Sequence, residues 1–523
     1  MNRNTLIVWT VAGVFFILTS WPGIYHAGGY TSPDEEINYI AAESFSENGN
    51  FLLGNALAED DLGTVKPRNA QIVNNYIVPL SFLGFPLIMG ITAKIFGSWI
   101  ISLITPLIVS FGLVAFYFLV KSYWGEFIGL VGFILLTIFP GLLFFTYKGL
   151  WHNAVFISLL IISFFMAVIY KKKESWWVII VAGGFFGLAI TIRTSELVWL
   201  IPLMILWLTI ALRNINLKKI FTFIIITIVF TLPILYFNSQ TFGGPLSFGY
   251  TAALEREGSI VSETSTFTRA VNLLIPSDNK LSNYIDNGQR YIVEFSPLYF
   301  LLIMLGLLSL IVKKINQQLK IWLIIMFLVS VWLFWYYAGT IYYGGTTTAD
   351  GPIIGSSYIR YFLPMTVLVM PIAASGIKWI IDLYRGKTRQ LLLAAIITIL
   401  LISSVHILLF DSQSGLIKYF NEDIPQINEA SESVINLTET DAIIIAGAKD
   451  KLFFPERSVI GYNDISDKHL KTISKLIGEY DLYYNDIAER DLTTLSELAA
   501  DNNYSLKSVG NIGQDILYKF VKN

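Results

Sequence analysis

Cysteine is absent from this chain of 523 residues, which excludes disulfides, thiol nucleophiles and Cys-ligated metals. Histidine is nearly so: His26, His152, His406 and His469 are the whole set, and no two have the spacing of a zinc motif such as H-E-x-x-H. Charge is sparse too. Asp, Glu, Lys and Arg make up 14% of the chain and sum to −2, with a pI near 6.2, so the basic footprint of a nucleic-acid-binding protein is missing. What is present is apolar: 54% hydrophobic residues and a mean hydropathy of +0.60 mark a polytopic helical membrane protein, not a soluble globular one.

The first apolar run, Thr5 to Tyr25, follows Arg3 and exceeds the core of a signal peptide, so it reads as a retained span with a cytoplasmic N-terminus. Further runs lie at 76–97, 98–120, 125–146, 151–170, 176–193, 195–212, 217–237, 294–312, 319–337, 358–380 and 389–410. The short basic connectors, including Lys171-Lys172-Lys173, Arg213 with Lys218 and Lys219, and Lys313-Lys314, share the cytoplasmic side only if the run 76–97 does not cross. That run carries Pro79, Gly84, Pro86 and Gly90 and is expected to re-enter from the outer half of the membrane. The expected fold is therefore all-α and polytopic, with about eleven spans, one re-entrant helix and the C-terminus outside.

Two domains are expected: a membrane domain over 1–410, with long outer loops at 26–97, 238–293 and 338–357, and a small extracytoplasmic α/β domain over 411–523. Long loops in a compact protein are usually functional, and the inner connectors are short, so the chemistry belongs outside. In the tail, residues 442–447, 481–484 and 516–520 read as strands, and 466–478 and 489–502 as helices. It has no Gly-rich phosphate loop, and packing or acceptor docking is its expected role.

The outer loop after the first span opens with Thr31-Ser32-Pro33-Asp34-Glu35-Glu36, an acidic helix start with a capping serine and an S-x-x-E box, and it ends at Asn48-Gly49. At 100° per residue, Asp34 continues the apolar face of Ile37, Ala41 and Phe45, Glu35 flanks it, and Glu36 falls on a solvated stripe with Glu43 and Glu47. Such an acidic pair also suits the positive end of a helix dipole. Its depth, at the outer end of a membrane span, favours chemistry instead.

Elsewhere, ionisable residues avoid the middle of the runs and gather at their outer ends: Lys148 with His152, Arg193 with Glu196, Glu294, and Arg360. A coupled transporter needs such groups near the midplane, so an outward-facing site at headgroup level is favoured. Arg193 and Arg360 are candidate phosphate ligands, since a guanidinium fork fits phosphate oxygens and keeps its charge. Snorkelling, or a salt bridge to Glu196 or Glu294, is the alternative. Lys66, Arg68 and Lys148 are lesser cationic candidates. Tyr342-Tyr343 and Trp335-Tyr336-Tyr337 serve an interfacial belt or stack on a sugar.

Several of these motifs, in this order, resemble the GT-C superfamily of polyprenyl-phosphate-dependent glycosyltransferases, in its protein-mannosyltransferase and aminoarabinose-transferase-like branch. They are Asp34-Glu35-x-x-x-Tyr39-x-x-Ala42, the Pro-containing stretch Pro79 to Gly97 ending in Phe96-Gly97, Gly187-Leu188-Ala189-x-x-x-Arg193, Phe242-Gly243-Gly244-Pro245 with Gly249-Tyr250, and Arg360-Tyr361-x-x-Pro364. The resemblance covers most of residues 1–410. One departure is Asn153, in Lys148-Gly149-Leu150-Trp151-His152-Asn153, where the family commonly has an aspartate; it weighs against a divalent metal, on which the superfamily depends only variably.

The resemblance implies an enzyme of the plasma membrane that moves one sugar from a polyprenyl-phosphate donor to a hydroxyl of a protein, lipid or glycan acceptor outside. Asp34 is the expected base and Glu35 its partner; Arg193, Arg360, Lys66 and Arg68 are expected at the donor phosphate. Lys148, His152, Asn153, Tyr250, Tyr342 and Tyr343 are expected to position acceptor or sugar. No cofactor is certain, and a divalent metal stays open although Asn153 weighs against it. The competing readings are a flippase or transporter of lipid-linked glycans and a glycan-binding membrane protein.

Overall fold

The computed structural model describes residues 2–25, 30–58, 60, 62–173, 175–211, 217–250, 280–312, 315–345, 351–512 and 515–523. Arg213, Lys313 and Lys314, residues 251–279 of the outer loop 238–293, and residues 346–350 of the outer loop 338–357 lie outside the described residues. Compactness divides the chain otherwise than at a single boundary near 410. One unit takes Met1–Tyr25, Ser102–Pro233 and Val261–Lys418; the other takes His26–Ile101, Ile234–Ile260 and Tyr419–Asn523.

The first unit is built of apolar helices, starting with α1 (Arg3–Tyr25). Among the described residues of the whole chain, seven helices are long and apolar enough to cross a membrane, and three bent pairs bring the number to ten if each pair is one span. The expected run 125–146 is one of these pairs, Glu126–Thr137 and Pro140–Lys148, bent by 53°. Pro140 has no N–H for the helical ladder, which is why one run becomes two helices. A second pair, Trp176–Ile192 with Thr194–Ile205, turns by 110° at Arg193, and the sequence count of eleven differs from ten by treating its halves as separate spans. Polar groups on these helices bond to a neighbour's backbone: Ser163 Oγ donates to Ala182 O at 2.8 Å, and Trp322 Nε1 to Leu368 O at 3.0 Å. Such bonds are what an apolar surround demands.

The second unit begins with α2 (Pro33–Asn48). Ser32 caps it by accepting from Asp34 N at 3.2 Å, Pro33 occupies the first turn, and Gly49 closes it at φ 72°, a left-handed conformation that favours glycine. A three-stranded antiparallel sheet follows, in the order β1-β3-β2, from β1 (Gly54–Asn55), β2 (Ala70–Val73) and β3 (Tyr76–Pro79). The run 76–97 is thus a strand and then a helix, α3 (Gly84–Phe96), whose 13 residues reach only about 20 Å. A span needs about 20 residues.

In the C-terminal region of this unit, β4 (Ile443–Ile445), β5 (Ser458–Ile460), β6 (Leu482–Tyr484), β7 (Tyr504–Ile512) and β8 (Asp515–Lys522) form one sheet ordered β5-β4-β6-β8-β7. β4 runs parallel to β5 and β6, and β8 antiparallel to β6 and β7. Helices Asp467–Leu476 and Leu492–Asp501 accompany it. One face of the sheet packs on these helices, with Ile443, Ile445, Leu482 and Phe520 against Ile473, Leu476 and Leu495, and the other face is shared with the outer loop. Ile37 of α2, Ala70 of β2 and Ile77 of β3 share one apolar cluster with Val434, Ile444, Phe453, Tyr483 and Leu517.

Candidate active site

Within the second unit the acidic start of α2 is buried in part and oriented by named partners. Asp34 is half-buried, and its Oδ1 accepts from the Asn69 side-chain amide at 2.5 Å. Glu35 is 1% exposed. Glu36, expected on a solvated stripe, is 3% exposed, which corrects the helical-wheel reading. The wheel assumes that one face of α2 meets water, whereas this face meets Asp450, Lys451 and Arg68. Burial pushes the Glu36 carboxyl well above the usual range, Asp450 adds to the effect, and Lys451 and Arg68 offset it. Lys451 is itself lowered, mainly by burial and by Arg68, with Asp450, Glu36 and Glu35 opposing. Its Nζ donates to Thr31 O at 2.5 Å, just ahead of the helix cap. Tyr419 is raised by burial and by the charge of Glu35. Tyr39 OH donates to Glu43 Oε1 at 2.5 Å.

Other expected residues of this unit lie elsewhere. Arg68, expected at the donor phosphate, donates from its guanidinium to Asp450, to Ala448 O and to Asn463 Oδ1, which anchors it. Lys66 lines a cavity of about 380 Å³ with Phe454, Val459 and Tyr480, and Gly461 N donates to its carbonyl at 2.9 Å. Tyr250 is 39% exposed, with its ring 5.4 Å from that of Phe82. The adjacent Gly249 is needed as glycine, because a Cβ there would overlap Ser81 N and come within 2.8 Å of Leu80 Cα.

Within the first unit the two arginines singled out from the sequence converge. Arg193 sits at the 110° break with extended backbone (φ −140°, ψ 80°) and is 8% exposed. Its Nε and Nη2 donate to Glu196 Oε1 at 2.9 and 2.7 Å, and Nη2 also to Tyr337 OH at 3.1 Å. Trp199 Nε1 donates to the other oxygen of Glu196. The salt-bridge alternative for Arg193 is thus realised. Its guanidinium carbon also lies 5.4 Å from the centroid of the Tyr361 ring, and that of Arg360 lies 5.1 Å from the same centroid. Arg360 stacks at 4.0 Å on the Trp151 ring and donates from Nη2 to Ser357 Oγ at 3.1 Å. Flat cationic groups gain from aromatic faces, most of all that of tryptophan.

Asn153 belongs to this group: its side-chain amide donates to the Arg360 carbonyl at 3.1 Å. An aspartate in its place would have no N–H to give, so the amide here has a backbone-holding function of its own. Tyr342 packs edge-on against Tyr361, with centroids 5.3 Å apart, whereas Tyr343 is 55% exposed. Lys148, half-buried, and His152, 7% exposed, stand on either side of the turn at Gly149, Leu150 and Trp151. Among the described residues, no three or more His, Asp or Glu side chains gather where they would hold a metal ion.

Sequence reasoning did not single out Trp151, Ser357, Asn69, Asp450 or Lys451. Only Trp151 carried a signal, since it adjoins the candidates Lys148, His152 and Asn153.

No family model matches the chain, and no curated protein matches it. Solved structures do. ArnT from Cupriavidus metallidurans bound to undecaprenyl phosphate is similar over 98% of this chain and 97% of its own, at 9% identity and a TM-score of 0.58. The oligosaccharyltransferase of Archaeoglobus fulgidus in the apo form is similar over 99% of this chain and 74% of its own, at 13% identity and a TM-score of 0.56. The Archaeoglobus fulgidus enzyme AglB, in complex with an inhibitory peptide and a dolichol-phosphate, gives 12% identity, the same coverage and a TM-score of 0.54. At such identities the likeness is one of fold: the fold of this protein is similar to those of ArnT and the archaeal oligosaccharyltransferase.

Proposed function

We propose that the protein is a membrane glycosyltransferase that moves a sugar from a polyprenyl-phosphate donor to an acceptor hydroxyl on the outer face of the plasma membrane. The observation that carries this reading is the convergence of Arg193 and Arg360 on the Tyr361 ring. Two cations that cannot lose their charge suit a phosphate that gains charge as its bond to the sugar breaks. The likeness in fold to proteins solved with undecaprenyl phosphate and with dolichol-phosphate supports the same donor class.

In this reading Asp34 takes the proton of the acceptor hydroxyl, and the acceptor oxygen bonds to the anomeric carbon. The bond from that carbon to the phosphate oxygen breaks, and its electron pair leaves with polyprenyl phosphate. Attack opposite the leaving group inverts the anomeric centre. The phosphate leaves without an acid, so base assistance is the part worth supplying, typically about 10²–10⁴-fold. Glu35 holds acceptor or sugar hydroxyls. Arg360 and Arg193 are the phosphate ligands; the Arg360 guanidinium is oriented by the Trp151 ring and the Ser357 hydroxyl, and that of Arg193 by Glu196. One well-placed donor of this kind is worth about 3–4 kcal/mol in the transition state. Asn153 fixes the backbone of Arg360, and Tyr342 lies beside the Tyr361 ring. No step here runs through a metal ion. The orientation belongs to the proposal: cytoplasmic N-terminus, about eleven spans, and both α2 and the C-terminal region outside.

The test is thermal stabilisation of the purified protein by a panel of short-chain polyprenyl-phosphate sugars and by free polyprenyl phosphate. One sugar-bearing lipid is expected to stabilise it, and Asp34→Asn is expected to bind that lipid while losing at least about 100-fold in transfer. A folded Asp34→Asn protein with full transfer activity would overturn the assignment of the base. Absence of stabilisation by every lipid would overturn the donor class.

A further inference from the structure

The Asn69 amide donates a hydrogen bond to the proposed base, and the structure shows what holds Asn69. Asn69 follows Arg68, and Arg68 is gripped by Asp450 at both its backbone and its side chain. Asp450 Oδ2 accepts from Arg68 N at 2.6 Å, and Oδ1 accepts from Arg68 Nε and Nη2, each at 2.9 Å. Asp450 is 0% exposed, so its charge depends on these donors and on the nearby Lys451 for balance. Gly461 makes the grip possible: a Cβ there would come within 2.6 Å of Asp450 Oδ2 and 2.9 Å of Arg68 N. Its own N–H donates to Lys66 O at 2.9 Å, so the backbone is pinned on both sides of Pro67. On the far side, Asn69 O accepts from Leu80 N at 2.8 Å.

We infer that Asp450 is a positioning residue for Asp34, acting through Arg68 and Asn69; this rests on the proposed role of Asp34 as the base. A general base works only within about 2.6–3.2 Å of the proton that it takes. A half-buried aspartate in the first turn of a helix has side-chain torsions that packing alone does not fix. Asn69 fixes them, and Asp450 fixes Asn69. Lys451, the neighbour of Asp450, holds the same helix start through Thr31 O. The C-terminal region thereby serves the reaction by orienting the base, a task apart from docking an acceptor.

A double-mutant cycle tests this in native membranes, which supply the acceptor. The readouts are release of polyprenyl phosphate from the short-chain polyprenyl-phosphate sugar that stabilises the wild type, and stabilisation by that same lipid. Asp450→Asn and Asn69→Ala are each expected to lower kcat on the order of 100-fold, the scale of a misplaced catalytic group. KM and lipid stabilisation should stay at wild-type values, and the double variant should be no worse than Asn69→Ala alone. Losses that multiply, or an Asp450→Asn protein with wild-type kcat, would overturn the inference, because Asp450 would then act independently of Asn69 or not at all. If Asp450→Asn does not fold, Arg68→Lys replaces it in the cycle with the same expectations. Asp34→Asn is run beside them: its activity decides the role of the base, whereas the cycle decides the coupling.

Discussion

The carboxylates at the start of α2 and the arginines around Tyr361 are both charged groups withdrawn from water, and they are balanced on different scales of sequence. Arg193 finds Glu196 three residues on, across a single helix break, at 2.7 Å. Glu36 has its compensating cations, Lys451 and Arg68, in other segments of the chain. A pair made locally depends on little else. A charge compensated from afar ties its helix to whatever brings the partner, and for α2 that is the C-terminal region.

Deleting residues 412–523 is the harshest way to break the comparison. It removes Asp450 and Lys451, and it strips Ile37, Ala70 and Ile77 of Val434, Ile444, Phe453, Tyr483 and Leu517. Each large apolar side chain returned to water costs about 1.5–3 kcal/mol, against a typical total stability of about 5–15. Transfer activity should vanish, and the truncated chain should be depleted from the membrane, as read by immunoblot and donor turnover. A truncated protein with full turnover would mean that α2 keeps its geometry unaided.

The local pair is sharpened by removing one partner and then both. Glu196→Ala leaves the Arg193 guanidinium buried without its carboxylate, and should cost about 3–5 kcal/mol in thermal unfolding. The double change Arg193→Met with Glu196→Leu should cost less than that single change, since no buried charge is then stranded. If the double variant is the less stable, the pair contributes more than mutual neutralisation.

What was legible in the sequence follows the same division. Apolar runs, basic connectors and caps are local, so the helices, the start of α2 and the Arg193–Glu196 pair were all readable. The burial of Glu36 was not, because a wheel of α2 cannot know that Asp450 and Lys451 lie against it. The strands at 458–460 and 504–512 were missed as well. The first has only three residues and begins with the exposed Ser458, and the second is half-buried over its first three residues and mostly exposed after them, without a clean apolar face. Asn153 was read as a departure that weakens a metal site, and its donation to the Arg360 carbonyl became visible only when residues far apart in sequence were brought together. Asn69 and Asp450 carry no motif at all; they matter through one side chain each, passed along a backbone.

The smallest expected effect concerns pH. Glu36 is faced by Asp450, Lys451 and Arg68, and its carboxyl is held well above the ordinary value of 4.5, chiefly by burial. The folded protein therefore keeps a proton that the unfolded chain gives up. Its contribution to stability is fully present below about 4.5 and is lost as the pH rises through the raised folded value, with a slope of at most about 1.4 kcal/mol per pH unit. Lys451 is shifted the opposite way, lowered from 10.5, so its own contribution is present above 10.5 and lost as the pH falls through the lowered folded value. Glu36→Gln removes the acidic limb alone. Its unfolding temperature, measured across roughly pH 4 to 8, should gain on that of the wild type as the pH rises. A difference that stays constant over that range would mean that Glu36 is ionised in the fold and that Lys451 and Arg68 compensate it fully, as Glu196 compensates Arg193.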